Sequence, residues 1–385
     1  MILMAKMTEG KYFTLTGSMK RNELRALRKR EVFFCPQCNE KVLLKVGDIV
    51  IPHFAHQQDS VCRSMFSEGE STEHLLGKQQ LYEFLQQIKH LDVRLEPYFK
   101  KLAQRPDVLV TTTSEVIPIE FQCSQIPLRQ IAERTKGYMS AGMNPIWILR
   151  TPHKLQKLPQ GITTYSLSQF EERFLTDTSE GLVFLTYEPY TKKFHYLSSL
   201  LHVSGRQFIG KHRVLSLDKQ CFPFVRPKPL TREEIQNYYT LHSSLRNKYL
   251  KSRIFYNRKG IHNAFLRMCY ELKLIPSELP AWIGVPIAFK NIFTEHAAEW
   301  QLAFLHFVEM KNLNLRQVTL KHIHEFAHRY GKPEEDAVEA CEQYLKFLFS
   351  IGVQSVHDFE KIKDVQYFEV LFTQYLQREM KIEKI

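Results

Sequence analysis

The chain has 385 residues, of which 44% are hydrophobic and 24% are charged. Its length exceeds the roughly 100 to 200 residues of a single domain, so two or three domains are expected, and its composition excludes an intrinsically disordered chain. The net charge of +12 favours a polyanionic partner, because Lys and Arg gain from releasing the counterions of phosphates. Nucleic acid is favoured over an anionic membrane surface.

The apolar runs and the cysteines indicate the cellular compartment of the protein. No apolar run approaches the roughly 18 residues of a transmembrane helix, and the first residues become charged too early for a signal peptide. Seven cysteines, an odd number spread unevenly along the chain, do not form the pattern of a disulfide framework. We therefore expect a cytoplasmic protein without a membrane span, whose cysteines are buried or bind metal.

A Cys/His pattern marks the N-terminal segment. Cys35 and Cys38 form a CxxC knuckle, His56 follows eighteen residues after Cys38, and Cys62 lies six residues further on. Two ligands from a knuckle and two from a distant pair are the usual arrangement of a structural zinc site, so we predict Zn²⁺ on these four residues. His53 is the alternative to His56, since the sequence alone does not choose between them. Buried thiols beside a surface histidine pair are the competing interpretation.

The next region alternates between helical and extended patterns. Residues 73–89 carry apolar side chains at helical spacing, and three extended stretches follow in VRLEPYF, RPDVLVTTT and VIPIEFQCS. A second helix from about Pro127 to Gly142 precedes the strand PIWILR. This order, αβββαβ, predicts an α/β domain.

The residue pattern changes twice along the chain and divides it into three parts. We predict a small zinc-ribbon-like segment at 1–66, the α/β domain at 67–220 and a mostly helical C-terminal domain at 221–385. The runs LVFLTY and KFHYLSSLL, near the end of the second part, either extend its sheet or form a separate β unit.

Polar residues in the third extended stretch suggest a metal site. Side chains alternate faces along a strand, so Glu120 and Gln122 lie on the face opposite the core, and the preceding strand delivers Asp107 beside them. Carboxylates are the ligands that Mg²⁺ or Mn²⁺ prefers, and such a cation neutralises a phosphate and activates a bound water. The carbonyl of Phe121 is a further candidate ligand, and Gln122 is placed to orient the water.

These residues carry a family resemblance. The motif RPD at 105–107 followed by IEFQ at 119–122, within the order αβββαβ, resembles the PD-(D/E)xK restriction-endonuclease-like superfamily. Together, FFCPQC, IPHFAH, Cys62, SEGESTEHLLGK, RPDVLV and IEFQCS resemble the competence protein CoiA family, over residues 32–150, about a third of the chain. The resemblance implies a metal-dependent DNA nuclease that acts in recombination during natural transformation. It also implies that Asp107 and Glu120 bind the metal, with Glu73 as another acidic candidate.

One position departs from the superfamily pattern. Gln122 occupies the usual lysine position, and a neutral amide cannot act as a general base or stabilise an anion as lysine does. Lys78 on the first helix or Lys136 on the second is a candidate to compensate. The rival hypothesis is a recombination factor that binds DNA or a protein partner through a nuclease fold and does not cut.

A second motif suggests a different enzyme. Residues His324 to His328 read HEFAH, a literal HExxH, in which two histidines bind zinc, Glu325 acts as base and Glu339 is a candidate third ligand. The flanking apolar residues equally fit an ordinary amphipathic helix. A metalloprotease is therefore the third hypothesis.

A basic run marks the C-terminal part. Residues 241–260 hold six Lys or Arg and no acidic residue. Aromatic rings between these charges, from Tyr249, Phe255 and Tyr256, offer stacking surfaces, a combination suited to single-stranded DNA. We predict phosphate contacts from Arg246, Lys248, Lys251 and Arg253, the alternative being a solvated helix face. Expected partners are single-stranded DNA or recombination intermediates, and recombination proteins.

Overall fold

The computed structural model describes residues 1–57, 62, 71–178, 181–224, 228–255, 262–287, 293, 295–330, 334–355 and 357–358. Tyr256, one of the aromatic residues of the predicted DNA-binding run, lies outside the described residues. None of the helices that can be described combines the length and the apolar character that a membrane crossing requires.

The N-terminal part is an antiparallel sheet of five strands in the order β2-β1-β3-β4-β5. Its alternating pattern buries one face, where the rings of Phe13, Phe33 and Phe54 contact one another. A single helix, α1, crosses between the second and third strands. The elements are β1 Met4–Met7, β2 Tyr12–Thr14, α1 Arg21–Arg30, β3 Phe33–Phe34, β4 Lys41–Lys45 and β5 His53–His56.

The following region has the predicted order αβββαβ. Strands β6, β7 and β8 form an antiparallel meander, and the crossover helix α3 returns the chain so that β9 pairs parallel to β8. The predicted stretch VRLEPYF is a strand only as far as Leu95, because Glu96 adopts a left-handed backbone with φ of 49°. The elements are α2 Thr72–Gln86, β6 Asp92–Leu95, β7 Val108–Thr111, β8 Val116–Gln122, α3 Leu128–Ser140 and β9 Ile146–Arg150.

The later strands extend this sheet, which answers the question that the sequence left open. Strand β12 pairs parallel with β9, and the sheet continues to nine strands, in the order β10-β14-β13-β12-β9-β8-β7-β6 with β11 on β12. The added elements are α4 His153–Gln156, β10 Gly161–Ser166, β11 Leu175–Thr178, β12 Gly181–Glu188, β13 Lys193–Ser204 and β14 Gln207–Ser216.

The C-terminal part is helical, as predicted, and has its own apolar core. Helix α7 lies at its centre, since nine of its side chains are buried. Helix α5 reaches back to the sheet, where the hydroxyl of Tyr238 donates to the carbonyl of Ser199 at 3.0 Å. The helices are α5 Arg232–Phe255, α6 Ala264–Glu271, α7 Ala297–Met310, α8 Leu320–Tyr330 and α9 Glu334–Ser350.

The two sheets share one hydrophobic core. Ala5 and Phe54 of the N-terminal sheet belong to the same buried cluster as Leu75 of α2 and Phe121 of β8. The boundary predicted between residues 66 and 67 therefore separates two sheets that pack on a common core, which is how a segment too small for a core of its own becomes stable.

Candidate active site and metal centre

Asp107, the residue directly before β7, lies next to Glu120 of the neighbouring strand β8. The register pairs Val108 of β7 with Ile119 of β8, so the next position along each strand sets Asp107 opposite Glu120. Side chains at opposite positions of an antiparallel pair share a face of the sheet and lie close together. The two carboxylates thus meet where β7 begins and β8 ends.

The Asp107 carboxylate is surrounded by donors. Its Oδ2 accepts from the backbone N–H of Phe121 at 2.8 Å and lies 3.0 Å from Nε2 of His74, while its Oδ1 is 3.6 Å from Nζ of Lys78. Burial alone would raise the pKa of this carboxyl group, but the charges of His74 and Lys78 and the His74 hydrogen bond outweigh it and hold the pKa well below the usual range. Asp107 is therefore ionised.

Glu120 is buried, with 2% of its surface exposed, so the expectation of an open polar face at this strand is wrong. Helix α3 covers that face: Arg134 and the hydroxyl of Tyr138, one helical turn apart, both donate to Glu120 Oε1, the latter at 2.6 Å. Burial raises the pKa of Glu120 to about 7; Arg134 opposes this shift and the Asp107 carboxylate adds to it. The group therefore carries its charge less readily than Asp107 does.

Lys78 connects the site to the N-terminal sheet. Its side chain is fully buried, and its Nζ lies 2.5 Å from Oε1 of Glu96 as well as near Asp107. The other oxygen of Glu96 accepts from the backbone N–H groups of Leu3 at 2.8 Å and Met4 at 3.1 Å. Because the left-handed backbone at Glu96 turns its carboxylate inward, one buried lysine is held between two acidic residues.

The other predicted residues of the α/β site lie at its rim. Gln122 is turned away from Asp107, since its Nε2 donates to the carbonyl of Ser124 at 2.8 Å. Glu73, in the first turn of α2, lies 4.0 Å from Arg150, which also lies 3.7 Å from the buried Glu188. Lys136 is exposed on α3, whereas Lys78 is beside Asp107, so of the two candidate lysines the structure places only Lys78 at the site.

The Cys/His cluster comes together as the spacing predicts. One ligand atom from each of four residues lies within 4.8 Å of the others, and Cys38 Sγ is 3.3 Å from His56 Nε2. The cluster, which could hold a metal ion such as zinc, consists of Cys35, Cys38, His56 and Cys62. His53 is not a member: three positions from His56 along a strand, it lies on the opposite face, where its Nδ1 is 2.9 Å from the carbonyl of Ile51.

Potential metal ligands elsewhere are more dispersed. Within the described ranges, no other three His, Cys, Asp or Glu side chains come as close as these, so Glu73, Asp107 and Glu120 do not form a three-carboxylate cage. Burial raises the pKa of each of the three thiols in the cluster, as expected for cysteines that become thiolates only on binding a cation.

Helix α5 contains the four predicted DNA-binding residues of the basic run and turns them to different sides, some towards solvent and one into the core. Lys248 and Lys251 are exposed, and Arg253 is half-buried, with its Nη2 2.9 Å from Glu299. Arg246 is buried, and its guanidinium donates to the carbonyls of Ile283, Leu279 and Pro280. Its predicted phosphate contact is therefore wrong, because an inward-facing arginine with these three partners does not reach a surface ligand.

The HExxH motif lies on the amphipathic helix α8. Phe326 and Ala327 are buried in the helical core, and Glu325 is 2.9 Å from Lys311 and 2.6 Å from Arg329. Neither His324 nor His328 belongs to a close group of potential ligands in the part of the chain that the structure describes. The motif is explained by an ordinary amphipathic helix, whose apolar residues are buried and whose Glu325 is in ion pairs with Lys311 and Arg329.

Three residues at the site were missed by the sequence interpretation: Glu96, Arg134 and Tyr138. Arg134 and Tyr138 are four positions apart on α3 and so share one helical face, which was a detectable signal. Glu96 gave none, because it lay in a stretch interpreted as continuous strand.

Comparison with known proteins agrees with this architecture. The fold and its sites define a mixed α/β protein with a nuclease-like domain and a helical C-terminal region. Family models described as competence protein CoiA, nuclease-like domain, and competence protein CoiA, N-terminal domain, match residues 70–228 and 16–65. The chain is 30% identical to the competence protein CoiA of Bacillus subtilis (strain 168) over 359 residues, 88% of this chain and 90% of that protein. The chain therefore belongs to the competence protein CoiA family. No solved structure matches it.

Proposed function

We propose that the nuclease-like domain is a Mg²⁺- or Mn²⁺-dependent deoxyribonuclease that processes DNA for recombination during natural transformation. The observation that carries this proposal is the position of Asp107 opposite Glu120 on neighbouring strands, two carboxylates at one point of an αβββαβ core. The matching domain is described as nuclease-like, which supports the proposed activity. The relative from Bacillus subtilis is named a competence protein, which supports the proposed role in natural transformation.

The donor chemistry fits a divalent cation. Both protein donors to Glu120 use Oε1, so its Oε2 and the carboxylate of Asp107 are the oxygens that would hold the ion, with the carbonyl of Phe121 as a third. When bound, the cation neutralises the phosphate and lowers the pKa of a bound water. His74 and Lys78 together keep Asp107 ionised, and Lys78 supplies the positive charge that Gln122 lacks.

The test is cleavage of labelled single-stranded, double-stranded and branched DNA in Mn²⁺, Mg²⁺ or EDTA. We expect Asp107→Asn and Glu120→Gln each to lower the cation-dependent rate by about 100-fold or more, as losses of charge stabilisation at such centres do. Glu115→Gln is the control, because it removes an exposed carboxylate from the other end of the β7–β8 pair. If either site variant cuts as fast as the parent in matched preparations, the site assignment is wrong.

A second candidate function rests on the bond between Arg134 and Glu120. This buried ion pair competes with a cation for the carboxylate, and together with the outward-turned Gln122 it favours a recombination factor that binds DNA without cutting it. The same assay distinguishes the two functions. Binding of single-stranded or branched DNA with no product in Mn²⁺ or Mg²⁺ supports the binding factor.

We also propose that the Cys/His cluster holds a structural Zn²⁺. Three thiolates and one imidazole fill the four positions of a tetrahedral ion, which leaves no open position for a substrate. A Zn²⁺ ion held by these residues would join the knuckle between β3 and β4, the end of β5 and Cys62.

A further inference from the structure

The outer face of the N-terminal sheet carries a row of alternating aromatic and basic side chains. Tyr12 of β2 lies opposite Lys6 of β1, Lys6 lies opposite Phe34 of β3, and Phe34 lies opposite Lys41 of β4. Residues at opposite positions share a face, so these four side chains form one line across four strands. With strands about 4.8 Å apart, the two rings are roughly 10 Å apart, with a lysine between them.

This face is not the one that packs on the core. Ala5, Phe33, Val42 and Phe54, at the alternate positions, are all buried. Tyr12 on the outer face is 61% exposed. The sheet therefore has a dry inner face and an outer face that exposes aromatic and basic groups to solvent.

The charged side chains on the strands of the outer face are all positive. None of the five strands contains an acidic residue, while the outer positions hold Lys6 and Lys41 in the row and, at the other end of β4, Lys45 opposite His53. In the part of the chain that the structure describes, none of these three lysines is in an ion pair. A face with these charges and rings fits a polyanion that itself exposes flat rings able to stack.

We infer that this outer face, defined by Tyr12, Phe34, Lys6, Lys41 and Lys45, binds single-stranded DNA. Unpaired bases stack on the two rings, and the lysines contact the phosphates on either side, the combination that serves single strands without regard to sequence. Duplex DNA does not fit, because its bases are already stacked and its faces are covered.

The outer face is fixed relative to the candidate active site. Met4, the first residue of the strand β1 that carries Lys6, and the preceding Leu3 donate from their backbone N–H groups to Glu96, and Glu96 holds Lys78 beside Asp107. A bound strand is thereby kept at a constant distance from the carboxylates. This link deepens the proposed function and rests on it, whereas the binding surface itself requires no cleavage.

Binding is tested with the full chain by fluorescence anisotropy of a labelled 20-nucleotide oligo(dT), in buffer without added divalent cations so that nothing is cut. We expect Tyr12→Ala to weaken binding by about 5- to 150-fold, the range for loss of one stacking platform, and Tyr12→Phe, which keeps the ring, to stay within about twofold. Tyr270→Ala is the matched control, since Tyr270 is 83% exposed on α6 in the helical part. Unchanged metal content and melting temperature show that each variant is folded.

Salt dependence tests the lysines. Changing Lys6, Lys41 and Lys45 together to Ala should lower the slope of log affinity against log salt by about 2, at roughly 0.7 per phosphate contact on a single strand. The double variant Lys321→Ala/Lys346→Ala, on exposed positions of α8 and α9, should leave that slope unchanged. Parental affinity and slope in both the Tyr12→Ala and the triple-lysine variants would overturn the inference.

Two further probes complete the test. A duplex that loses as much affinity as the single strand on Tyr12→Ala, or an RNA of the same sequence bound more tightly than the DNA, also contradicts the inference. Failure of the proposed nuclease is distinguishable from these outcomes. Outer-face variants are expected to weaken binding and still cut at saturating DNA, whereas Asp107→Asn should bind normally and not cut.

Discussion

The carboxyl group of Glu120 lies in a nearly dry environment between β8 and α3. Burial raises its pKa to about 7, so the folded protein holds the proton more tightly than the unfolded chain does. The contribution of this group to stability therefore falls as the pH rises from its ordinary pKa of 4.5 to about 7, while the ionised fraction grows. Asp107 is already ionised there, because its pKa is depressed.

This difference predicts a pH dependence for the proposed cleavage. Only the ionised carboxylate binds a divalent cation well, so we expect the single-turnover rate in Mn²⁺ to increase between about pH 6 and pH 8 as Glu120 loses its proton. DNA affinity without divalent cations, measured over the same range, is the control and should stay nearly constant. A flat rate profile would exclude Glu120 as a metal ligand that titrates near neutrality.

Gly77 determines how closely α2 approaches β8. A Cβ atom at this position would lie 2.2 Å from Cε1 of Phe121, whose backbone N–H binds Asp107. We expect Gly77→Ala to destabilise the fold by about 1 to 3 kcal/mol, because overpacking of a buried ring outweighs the roughly 1 kcal/mol gained in helix propensity.

Urea unfolding measures this effect, and Gly47→Ala is its control, since nothing lies within 4 Å of a Cβ at that position. The control should change the free energy of unfolding by less than about 0.5 kcal/mol. Equal shifts in the two variants would show that the contact with Phe121 does not limit the approach of the helix.

Strand β5 decides which histidine belongs to the Cys/His cluster. We expect about one zinc per chain in protein prepared without chelators, with the metal lost in Cys35→Ser, Cys62→Ser and His56→Ala but retained in His53→Ala. Elemental analysis gives the metal content, and thermal unfolding should show loss of N-terminal stability in the same three variants. Absence of zinc from the parent, or equal metal loss in both histidine variants, contradicts this assignment.

Helix α5 joins the extended sheet to the helical core. Tyr238 contacts β13 from one end, and Arg246 binds three carbonyls of the 279–283 segment further along the helix. We expect Arg246→Ala to cost about 2 kcal/mol or more, because it leaves buried carbonyls without donors. Chemical unfolding measures the cost, and the exposed Lys248→Ala is its control. A reduced DNA affinity in folded Arg246→Ala, with stability unchanged, would instead return this arginine to a surface role.

The local pattern of helices, strands and metal-ligand spacing follows from the amino-acid sequence alone. Periodicity gave the αβββαβ order, and ligand spacing gave the four members of the Cys/His cluster together with one alternative histidine. These features depend on residues close together in the chain, where the side-chain periods of helix and strand are fixed by backbone geometry.

The folded arrangement of the elements sets which side chains face each other. It covered Glu120 with Arg134 and Tyr138, placed Lys78 between Asp107 and Glu96, and turned Arg246 inward. A charged residue has the same appearance in the sequence whether it faces water or a buried partner, since its environment is set by elements that are distant along the chain. The pairing of β12 with β9, which extended the sheet, was hidden for the same reason.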